Sequence, residues 1–513
     1  MTKRRRQSDD GESDRAVVKK GRIGPKRTLA SLSDELIVRI LSYLPVQDLL
    51  RMEGTSKRFQ PLANDDEVWK GKYYDAWIKS RYRRLPPTQR PEKSRQLAKA
   101  VEWLEHSQRV KSSAPTNWKR QYKIKSNWHV GAAQIREVQV APSTVPPVIG
   151  KMFQNQLFTV DSTSGLRCWQ QQDGTRVLRA HREIEDGAQP TCMAVEEEAQ
   201  AGINILVGFS DGRFALYRLT HSQHLSLLFS QQSDDGPLVA VDLAMPFIMT
   251  TSITNSLTIY SSASFTAGEP TSLQALTKLQ SDAKFGPTSV SLRKQGLGMI
   301  ASIAYGFKRI GAGWCIGIQE ISLTPIGTSG VEDATERWEI GTRSTSSLPL
   351  PAHPQQRRPP QSLSYAHPFV IASLADNTIM SFLVTSTENQ LEMSRGRRLW
   401  GHTAGISSVQ VNSRGKAVSI SQRGNEIRVW ELEDVMTMAA HRRTSVQVKV
   451  VGSAWAQITA ALAQRAQGLG LAVSELRRGE EITRGRWVGF DEEQVVVLGE
   501  RASTQVMSLY DFT

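Results

Sequence analysis

The stretch that decides the fold is GHTAGISSVQVNSRGKAVSISQRGNEIRVWE, residues 401–431. A Gly-His pair opens it and an apolar strand pattern follows at 406–411. A second strand ends at Ser419–Ser421, and a third ends at Trp430–Glu431. Short strands of period 2 between Gly, Asn and Ser turns are typical of all-β folds. Residues 401–431 therefore predict one antiparallel β unit.

The same unit recurs from residue 145 to the C-terminus as an apolar strand, a turn of Asp, Asn or Gly, and a strand with an aromatic or apolar residue. Its spacing is close to or above the roughly 40–45 residues of a WD-repeat blade, and the last interval contains an insertion. These units resemble an all-β WD-repeat β-propeller, and 401–431 is the near-complete match. The resemblance implies seven blades over residues 129–513, with six or eight as alternatives. The marker residues of the seven units are Trp169, Tyr217, Tyr260, Ile318, Phe382, Trp430 and Tyr510.

The C-terminal segment 486–513 ends in a further strand pattern. In propellers the last blade usually takes one strand from the start of the domain, which closes the ring and removes free sheet edges. We therefore expect truncation of even a few C-terminal residues to unfold the propeller.

Two insertions interrupt the repeats. Residues 325–362 are rich in Pro, Ser, Thr and Arg and predict a long surface loop between blades. Residues 433–486 contain an Ala- and Leu-rich stretch, Trp455–Leu469, that predicts a helix before the last blade. Either insertion could bind a substrate or a regulator, although a tolerated loop insertion is the simpler interpretation.

Residues 28–75 have helical periodicity instead. Ser33, Asp34 and Glu35 predict a helix start, with acidic side chains near the positive end of the helix dipole. An apolar face follows until Pro45, and two more short helical segments come after it. Three short helices form a marginal core, so we expect a partner to cover an exposed apolar face.

The run LSDELIVRILSYLPVQDLLRMEGTSKRFQPLANDDEVWKGKY, residues 32–73, resembles an F-box. It departs from the family in having Ser33 where proline is usual, and we expect altered affinity rather than lost docking. The resemblance implies docking onto the small acidic adaptor of a cullin-based ubiquitin ligase. A generic three-helix segment is the alternative. The residues that the resemblance assigns to this contact are Leu32, Leu36, Ile40, Leu41, Leu44, Pro45, Leu49 and Leu50.

Residues 76–128 predict a basic, mostly helical linker, with a helix over 96–110. Its end, around Trp118, Tyr122 and Trp128, resembles the segment that joins an F-box to a WD-repeat propeller. A joint of this kind needs rigid aromatic anchors. The two tryptophans equally fit buried core positions.

The formal charge of the 513 residues is +14, and the excess of basic residues lies in the first quarter of the chain. Residues 1–128 contain 30 Lys and Arg against 15 Asp and Glu, whereas residues 129–513 contain 34 against 35. Residues 1–27 predict a disordered basic arm, because they have few large apolar residues. Two basic clusters in the arm resemble a bipartite nuclear localisation signal, with a solubilising or weakly nucleic-acid-binding tail as the alternative. The clusters include Lys3, Arg4, Arg5, Arg6, Lys19 and Lys20.

Several classes of protein and site are disfavoured by the sequence. Cys168, Cys192 and Cys315 are far apart and have no metal-ligand spacing, so we expect no disulfide framework, no metal and no cofactor. No apolar stretch is long enough to span a membrane, and the N-terminus is charged rather than apolar. Recognisable catalytic motifs are absent as well. We therefore expect a non-catalytic protein in the nucleus, the cytoplasm or both.

The leading hypothesis is the substrate-recognition subunit of an SCF-type ubiquitin ligase, in which the F-box binds the adaptor and the propeller binds an unidentified protein destined for proteasomal degradation. Arg423 matches the family position, in the turn between second and third strands, that grips phosphate in such receptors. Ser407 and Ser210 occupy the corresponding other positions, so a multi-arginine phosphate pocket is not expected.

Two other hypotheses remain open. The chain could be a nuclear WD-repeat scaffold that uses its basic arm for nucleic-acid or protein assembly, although nucleic acid is not the expected partner of the neutral propeller. It could also be an F-box protein that acts without the cullin. Deleting the arm tests the first of these, and the absence of cullin from the adaptor complex would indicate the second.

Overall fold

The computed structural model forms two units, residues 1–122 and 123–513, and each is described by itself. The residues described are 29, 32–79, 117–142, 147–172, 175–184, 187–198, 202–261, 273–281, 285–325, 338–342, 345–350, 358–387, 390–424, 426–432, 445–450, 484–501 and 504–513. None of the helices in these ranges is long and apolar enough to cross a membrane. The predicted localisation clusters, the helix at 96–110 and the helix at 455–469 lie outside the described residues.

The first unit is helical. Its described helices are α1 (Asp34–Leu41), α2 (Val46–Glu53), α3 (Phe59–Ala63) and α4 (Asp66–Tyr73), and a π-helical turn, Tyr74–Ile78, continues α4. Ser33 is the extended N-cap of α1, and Pro45 is the extended N-cap of α2. The predicted helix start at Ser33 and the break before Pro45 are therefore confirmed. A fifth helix, α5 (Trp118–Val130), begins in the first unit and ends in the second.

The second unit is a seven-bladed β-propeller. Its first strand along the chain, β1 (Ala132–Pro142), belongs to the last blade. Blade 1 contains β2 (Ile149–Phe153), β3 (Gln156–Asp161), β4 (Gly165–Gln172) and β5 (Thr175–Arg182). Blade 2 contains β6 (Pro190–Glu198), β7 (Gly202–Phe209), β8 (Arg213–Leu219) and β9 (Leu225–Gln232). Blade 3 contains β10 (Leu238–Ala244), β11 (Phe247–Ser252), β12 (Ser256–Ser261) and β13 (Gln274–Gln280).

Blades 4 and 5 have a fourth strand built from two pieces. Blade 4 contains β14 (Phe285–Gln295), β15 (Gly298–Arg309), β16 (Gly313–Pro325), β17 (Trp338–Thr342) and β18 (Ser346–Pro349). Blade 5 contains β19 (Ser362–Ala366), β20 (Phe369–Ser373), β21 (Ile379–Ser386), β22 (Leu391–Met393) and β23 (Arg397–Leu399). Blade 6 contains β24 (Ile406–Val411), β25 (Lys416–Ser421), β26 (Ile427–Glu431) and β27 (Ser445–Gln447), and the short β28 (Lys449–Val450) follows it. Blade 7 contains β29 (Arg484–Phe490), β30 (Gln494–Arg501) and β31 (Thr504–Asp511), completed by β1.

The first strand of each blade contacts the first strand of the next, and β29 contacts β2, which closes a ring of seven. Each marker residue of the seven predicted units lies in the third strand of its blade. The resemblance to a propeller and the count of seven are therefore confirmed. Apolar side chains of neighbouring blades share cores, such as the cluster that joins Phe158 and Val160 of blade 1 to Ile205 and Val207 of blade 2.

The ring closes through an antiparallel ladder between β31 and β1, which runs from Gln134 opposite Asp511 to Pro142 opposite Thr504 with one register shift between Gln139 and Ala141. The strand β30 pairs with the other edge of β31, so the C-terminal strand lies inside its sheet. The closure expected from the sequence is therefore present.

The insertion at 325–362 differs from the loop that its composition predicts. Its segments β17 and β18 pair with β16 and complete blade 4. Prolines and serines do not exclude an outer strand, because an edge strand needs ladder hydrogen bonds on one side only. Part of the insertion at 433–486 is likewise regular, since β27 pairs with β26 and β28 pairs with β1.

Candidate functional sites

The helical module, which we define as residues 32–79, has a small core. This core comprises Ile37, Leu41, Leu49, Ala63, Val68 and Trp69. The Trp69 indole donates a hydrogen bond to the Ala63 carbonyl at 2.8 Å, so the largest core side chain keeps its polar atom satisfied. Six buried apolar residues are few for an independent fold, and the module relies on polar contacts as well.

Two basic side chains fix the ends of α1. The Arg58 guanidinium donates to the Asp34 carboxylate and to the Leu32 carbonyl, both at 2.7 Å. At the other end of α1, the Lys72 ammonium donates to the Ser42 carbonyl at 2.8 Å. A lysine at a helix C-terminus is favourable both as a donor and through the helix dipole. These contacts hold α1 against the helices that follow it.

An exposed apolar surface lies along α1. Leu36 is 54% exposed, Ile40 is 41% exposed and Tyr43 is 74% exposed. Leu36 and Ile40 are four residues apart and share one face of α1, and Tyr43 lies in the turn that follows the helix. Leu50 of α2 is also exposed, at 46%. Single exposed leucines are common, but a run of exposed apolar side chains such as this is the kind of surface that a partner covers.

The eight residues assigned to adaptor contact divide into three groups. Leu36, Ile40, Pro45 and Leu50 are exposed. Leu32 and Leu44 are half-buried and pack against the core. Leu41 and Leu49 are fully buried, so they hold the module together rather than form its surface. The exposed Tyr43 belongs with the first group, and its position seven residues after Leu36 is the signal that identifies it.

The first turn of α5 packs within the first unit. Trp118 meets Tyr73 edge to face with ring centroids 5.7 Å apart, and Tyr122 meets Trp69 at 5.6 Å. The Lys119 ammonium donates to the Glu53 carboxylate at 2.6 Å, and this hydrogen bond lowers the pKa of Glu53. The aromatic residues expected at the linker's end are therefore packed side chains.

The end of α5 packs within the second unit. The Trp128 ring stacks on Phe512 with centroids 3.9 Å apart, and its indole donates to the Glu492 carbonyl at 2.8 Å. The Lys416 ammonium lies 4.0 Å from the centre of the same ring, and burial lowers the pKa of Lys416. Trp128 is thus a core residue of blade 7.

The candidate substrate surface is one end of the propeller. We call it the loop end: it carries the turns between the second and third strands of the blades and the connections from each blade to the next. The antiparallel order of the strands places all these segments on one side of the ring. Arg423 lies there, exposed, in the turn between β25 and β26. Ser210 occupies the equivalent turn of blade 2 and is exposed, whereas Ser407 lies on β24 and is half-buried.

A buried polar network supports the loop end of blade 6. The His402 imidazole lies 2.6 Å from Ser419 Oγ, and the Trp430 indole donates to the same oxygen at 2.8 Å. His402 Nδ1 also lies 3.3 Å from Glu426 Oε2. The same carboxylate oxygen accepts from the Thr403 amide at 2.9 Å. Burial alone would raise the pKa of Glu426, but hydrogen bonds from His402, Thr403 and Arg428 outweigh it and lower the pKa to about 2.

This network explains why residues 401–431 are so informative. Gly401-His402 and Trp430 supply its members from opposite ends of the unit. Glu426 was not singled out from the sequence, because only the folded turn brings it to His402. Among the described residues, no group of His, Cys, Asp and Glu is arranged to hold a metal ion.

Two family models match the chain. One, described as F-box-like, matches residues 29–75. The other, described as F-box protein pof12 beta-propeller, matches residues 133–513. The chain belongs to the pof12 F-box β-propeller family. This membership agrees with the helical module and the seven-bladed ring.

The chain was also compared with curated protein sequences and with solved structures. No curated protein sequence matches the chain significantly. The crystal structure of RRP9 WD40 repeats is 9% identical, covers 74% of this chain and 97% of its own, and gives a TM-score of 0.43. The structure of U3-55K is 9% identical, covers 74% and 98%, and gives 0.44. The computationally designed Ika8 protein is 11% identical, covers 71% and 83%, and gives 0.36.

Proposed function

We propose that this protein is the substrate-recognition subunit of an SCF-type ubiquitin ligase. The helical module would bind the small acidic adaptor of the cullin, and the propeller would bind the protein to be ubiquitinated. The observation that carries the proposal is the exposed apolar run Leu36, Ile40 and Tyr43 within the segment matched by the F-box-like model. In this role the chain itself performs no chemistry, because positioning a substrate near the transferring subunits is its contribution to catalysis.

Adaptor binding needs apolar anchors on the surface of the module. A stable interface buries roughly 800 Å² per partner, with a few apolar anchors at its centre. The exposed leucines and Ile40 would supply these anchors, and the half-buried Leu32 and Leu44 lie at the core's edge.

The test is co-purification of the tagged full-length chain with adaptor and cullin. We expect the double substitution Leu36→Lys and Ile40→Lys to weaken adaptor binding about a hundredfold or more, because charges replace the central apolar contacts. Ala at Leu44 and Pro45 should also abolish co-purification. The matched control is Gln60→Lys, an exposed position on α3.

Three outcomes separate the hypotheses. Unchanged adaptor binding by the double variant contradicts the proposal. Adaptor without cullin in the complex would indicate an F-box protein that acts outside the ligase. Adaptor and cullin together, with a protein that accumulates on proteasome inhibition, support the receptor role and identify the substrate.

A further inference from the structure

The loop end of blades 4, 5 and 6 carries exposed cationic side chains. We call it the basic sector and define it by Lys308, Arg309, Arg358 and Arg423. The first two end β15, Arg358 lies in the connection from blade 4 to blade 5, and Arg423 lies in the turn between β25 and β26. Among the described residues, none of the four forms an ion pair. Their charges therefore face solvent without a local counter-charge from the described part of the chain.

Acidic side chains in the described loops of these blades are already engaged. Asp376 lies 2.9 Å from the Arg398 guanidinium, and both side chains are largely buried. Glu426 is buried in the network with His402 and Arg428. Neither carboxylate neutralises the four exposed cations, so the sector has a positive surface.

The segments of the basic sector are continuous in space. Pro360 packs against β15, since a β-carbon on Gly306 would lie 3.4 Å from the Pro360 ring. Gln361 accepts a hydrogen bond from the Gln422 amide at 3.4 Å. The chain from blade 4 through Arg358 to the turn that carries Arg423 is thus one connected surface.

Two large apolar side chains project from the same sector. Ile310, next to Arg309, is fully exposed, and Trp400 is 64% exposed in the connection from blade 5 to blade 6. The Arg398 guanidinium lies 5.4 Å from the centre of the Trp400 ring. An exposed indole held beside a guanidinium is typical of binding surfaces, where Trp and Arg are the most frequent energetic anchors.

The loop end of blades 1, 2 and 3 carries exposed acidic side chains instead. Glu183 and Asp234 are exposed there, and the exposed Asp211 pairs with Arg213 at 3.6 Å. Residues 129–513 have a net charge near zero, but exposed positive and negative side chains lie in different blades of the loop end. The net charge therefore does not describe the local electrostatic field of this surface. A ligand with negative groups would be attracted to one side and repelled from the other.

We propose that the basic sector binds an acidic peptide segment that carries one large apolar side chain. The guanidinium groups would donate paired hydrogen bonds to the carboxylates of the peptide, and the apolar side chain would cover Trp400 and Ile310. If the chain is a ligase receptor, as proposed above, this segment is the recognition element of its substrates. The binding itself requires neither adaptor nor ubiquitin transfer, so it is measured separately.

The experiment is fluorescence anisotropy with the full-length chain and the labelled peptide Gly-Glu-Glu-Leu-Glu-Glu-Gly. Three comparison peptides replace every Glu by Gln, replace Leu by Gly, or replace the outer Glu residues by phosphoserine. We expect the Glu peptide to bind at low ionic strength and to weaken steeply as salt is raised. Loss of the carboxylates should abolish binding, and loss of Leu should weaken it several-fold.

Matched charge reversals locate the site. The triple variant Arg309→Glu, Arg358→Glu and Arg423→Glu should weaken the Glu peptide about tenfold or more, because like charges then face it. The control Glu183→Lys with Asp234→Lys should bind equally well or more tightly. All five positions are exposed, so thermal unfolding should match the unsubstituted protein. Arg423→Ala alone gives a smaller loss in the same direction.

The outcomes are decisive in both directions. Absent binding of the Glu peptide, equal binding of its Gln form, or an unaffected triple variant would overturn the inference. Binding of the phosphoserine peptide alone would overturn the assignment to carboxylates. Failure of the peptide to bind, with adaptor co-purification intact, refutes this inference only, whereas peptide binding without adaptor co-purification refutes only the ligase role.

Discussion

The helical module and the propeller differ in how completely they bury their apolar side chains. In the module, Leu36 and Ile40 stay exposed on α1 beside a core of six buried residues. In the propeller, every blade shares a buried cluster with a neighbour, and the ring returns to its start through β1 and β31. A closed ring leaves no blade unpartnered, whereas a few short helices cannot bury all of their own surface. The exposed apolar face of the module is therefore a consequence of its small size.

Removal of residues 504–513 should have the largest effect. This deletion takes away β31, which pairs with both β30 and β1, and it removes the buried Phe512 beneath Trp128. We expect the cooperative thermal transition of the propeller to disappear and trypsin to digest it rapidly. Deletion of Thr513 alone is the control and should leave both properties intact. A deletion variant with the original transition would show that ring closure is not what stabilises the propeller.

The next largest effect should come from breaking a buried ion pair of the propeller. Arg167 and Asp161 form a buried pair in blade 1, and Arg167 also donates to the Val140 carbonyl of β1 at 2.9 Å. Replacing Arg167 by Met leaves the Asp161 carboxylate buried without a cation, which should cost about 3–5 kcal/mol. Urea unfolding of the propeller measures this cost. A loss below about 1 kcal/mol would mean that solvent reaches the carboxylate.

Within the module, Leu36 and Leu41 of α1 should differ in their effect on stability, because one is exposed and the other is buried. Leu41→Ala should destabilise the module by about 2–5 kcal/mol, because it opens a cavity in the core. Leu36→Ala should change stability by less than about 0.5 kcal/mol, because that side chain is already exposed. Hydrogen exchange of the α1 amides measures both. Equal effects would contradict the division into core and surface residues.

The effect of pH on stability through Glu426 of blade 6 should be smaller than the effects of these core substitutions. Hydrogen bonds in the folded state overcome burial and lower the pKa of Glu426 from 4.5 to about 2. Its stabilising contribution is therefore complete above pH 4.5 and is lost as the pH falls towards 2. We expect the stability difference between the unsubstituted protein and Glu426→Gln to shrink by about 2 kcal/mol between about pH 6 and pH 3. A difference that stays constant over this range would argue against the lowered pKa.

A similarly small effect should come from Lys119→Met in the first unit. Its ion pair with Glu53 is about a third exposed, so water screens it and compensates the loss. We expect a destabilisation below about 1 kcal/mol, measured by urea unfolding of the first unit. A cost equal to that of Arg167→Met would remove the contrast between the two regions.

Much of the architecture could be predicted from the sequence because it is written in local patterns. The apolar periodicity of 32–53 predicts α1 and α2, and the seven marker residues identify the third strand of every blade. The strands at 338–349 could not be predicted, because Pro- and Ser-rich composition does not reveal an outer strand that is specified by pairing with β16. For the same reason, only the packing of the helices showed that Leu41 and Leu49 lie in the core and not on a contact surface.

The sequence by itself determined the two kinds of structure in this chain and the family to which it belongs, because spacing of apolar residues and short motifs are local properties. Only the tertiary structure decided which leucines face solvent, and only it brought Glu426 Oε2 to 3.3 Å from His402 Nδ1. It also decided that Arg309, Arg358 and Arg423, far apart along the chain, lie at the same end of the propeller as Glu183 and Asp234 but in different blades. Net charge is a sum over residues and carries no positions, whereas an electrostatic field depends on where the folded chain places each charge.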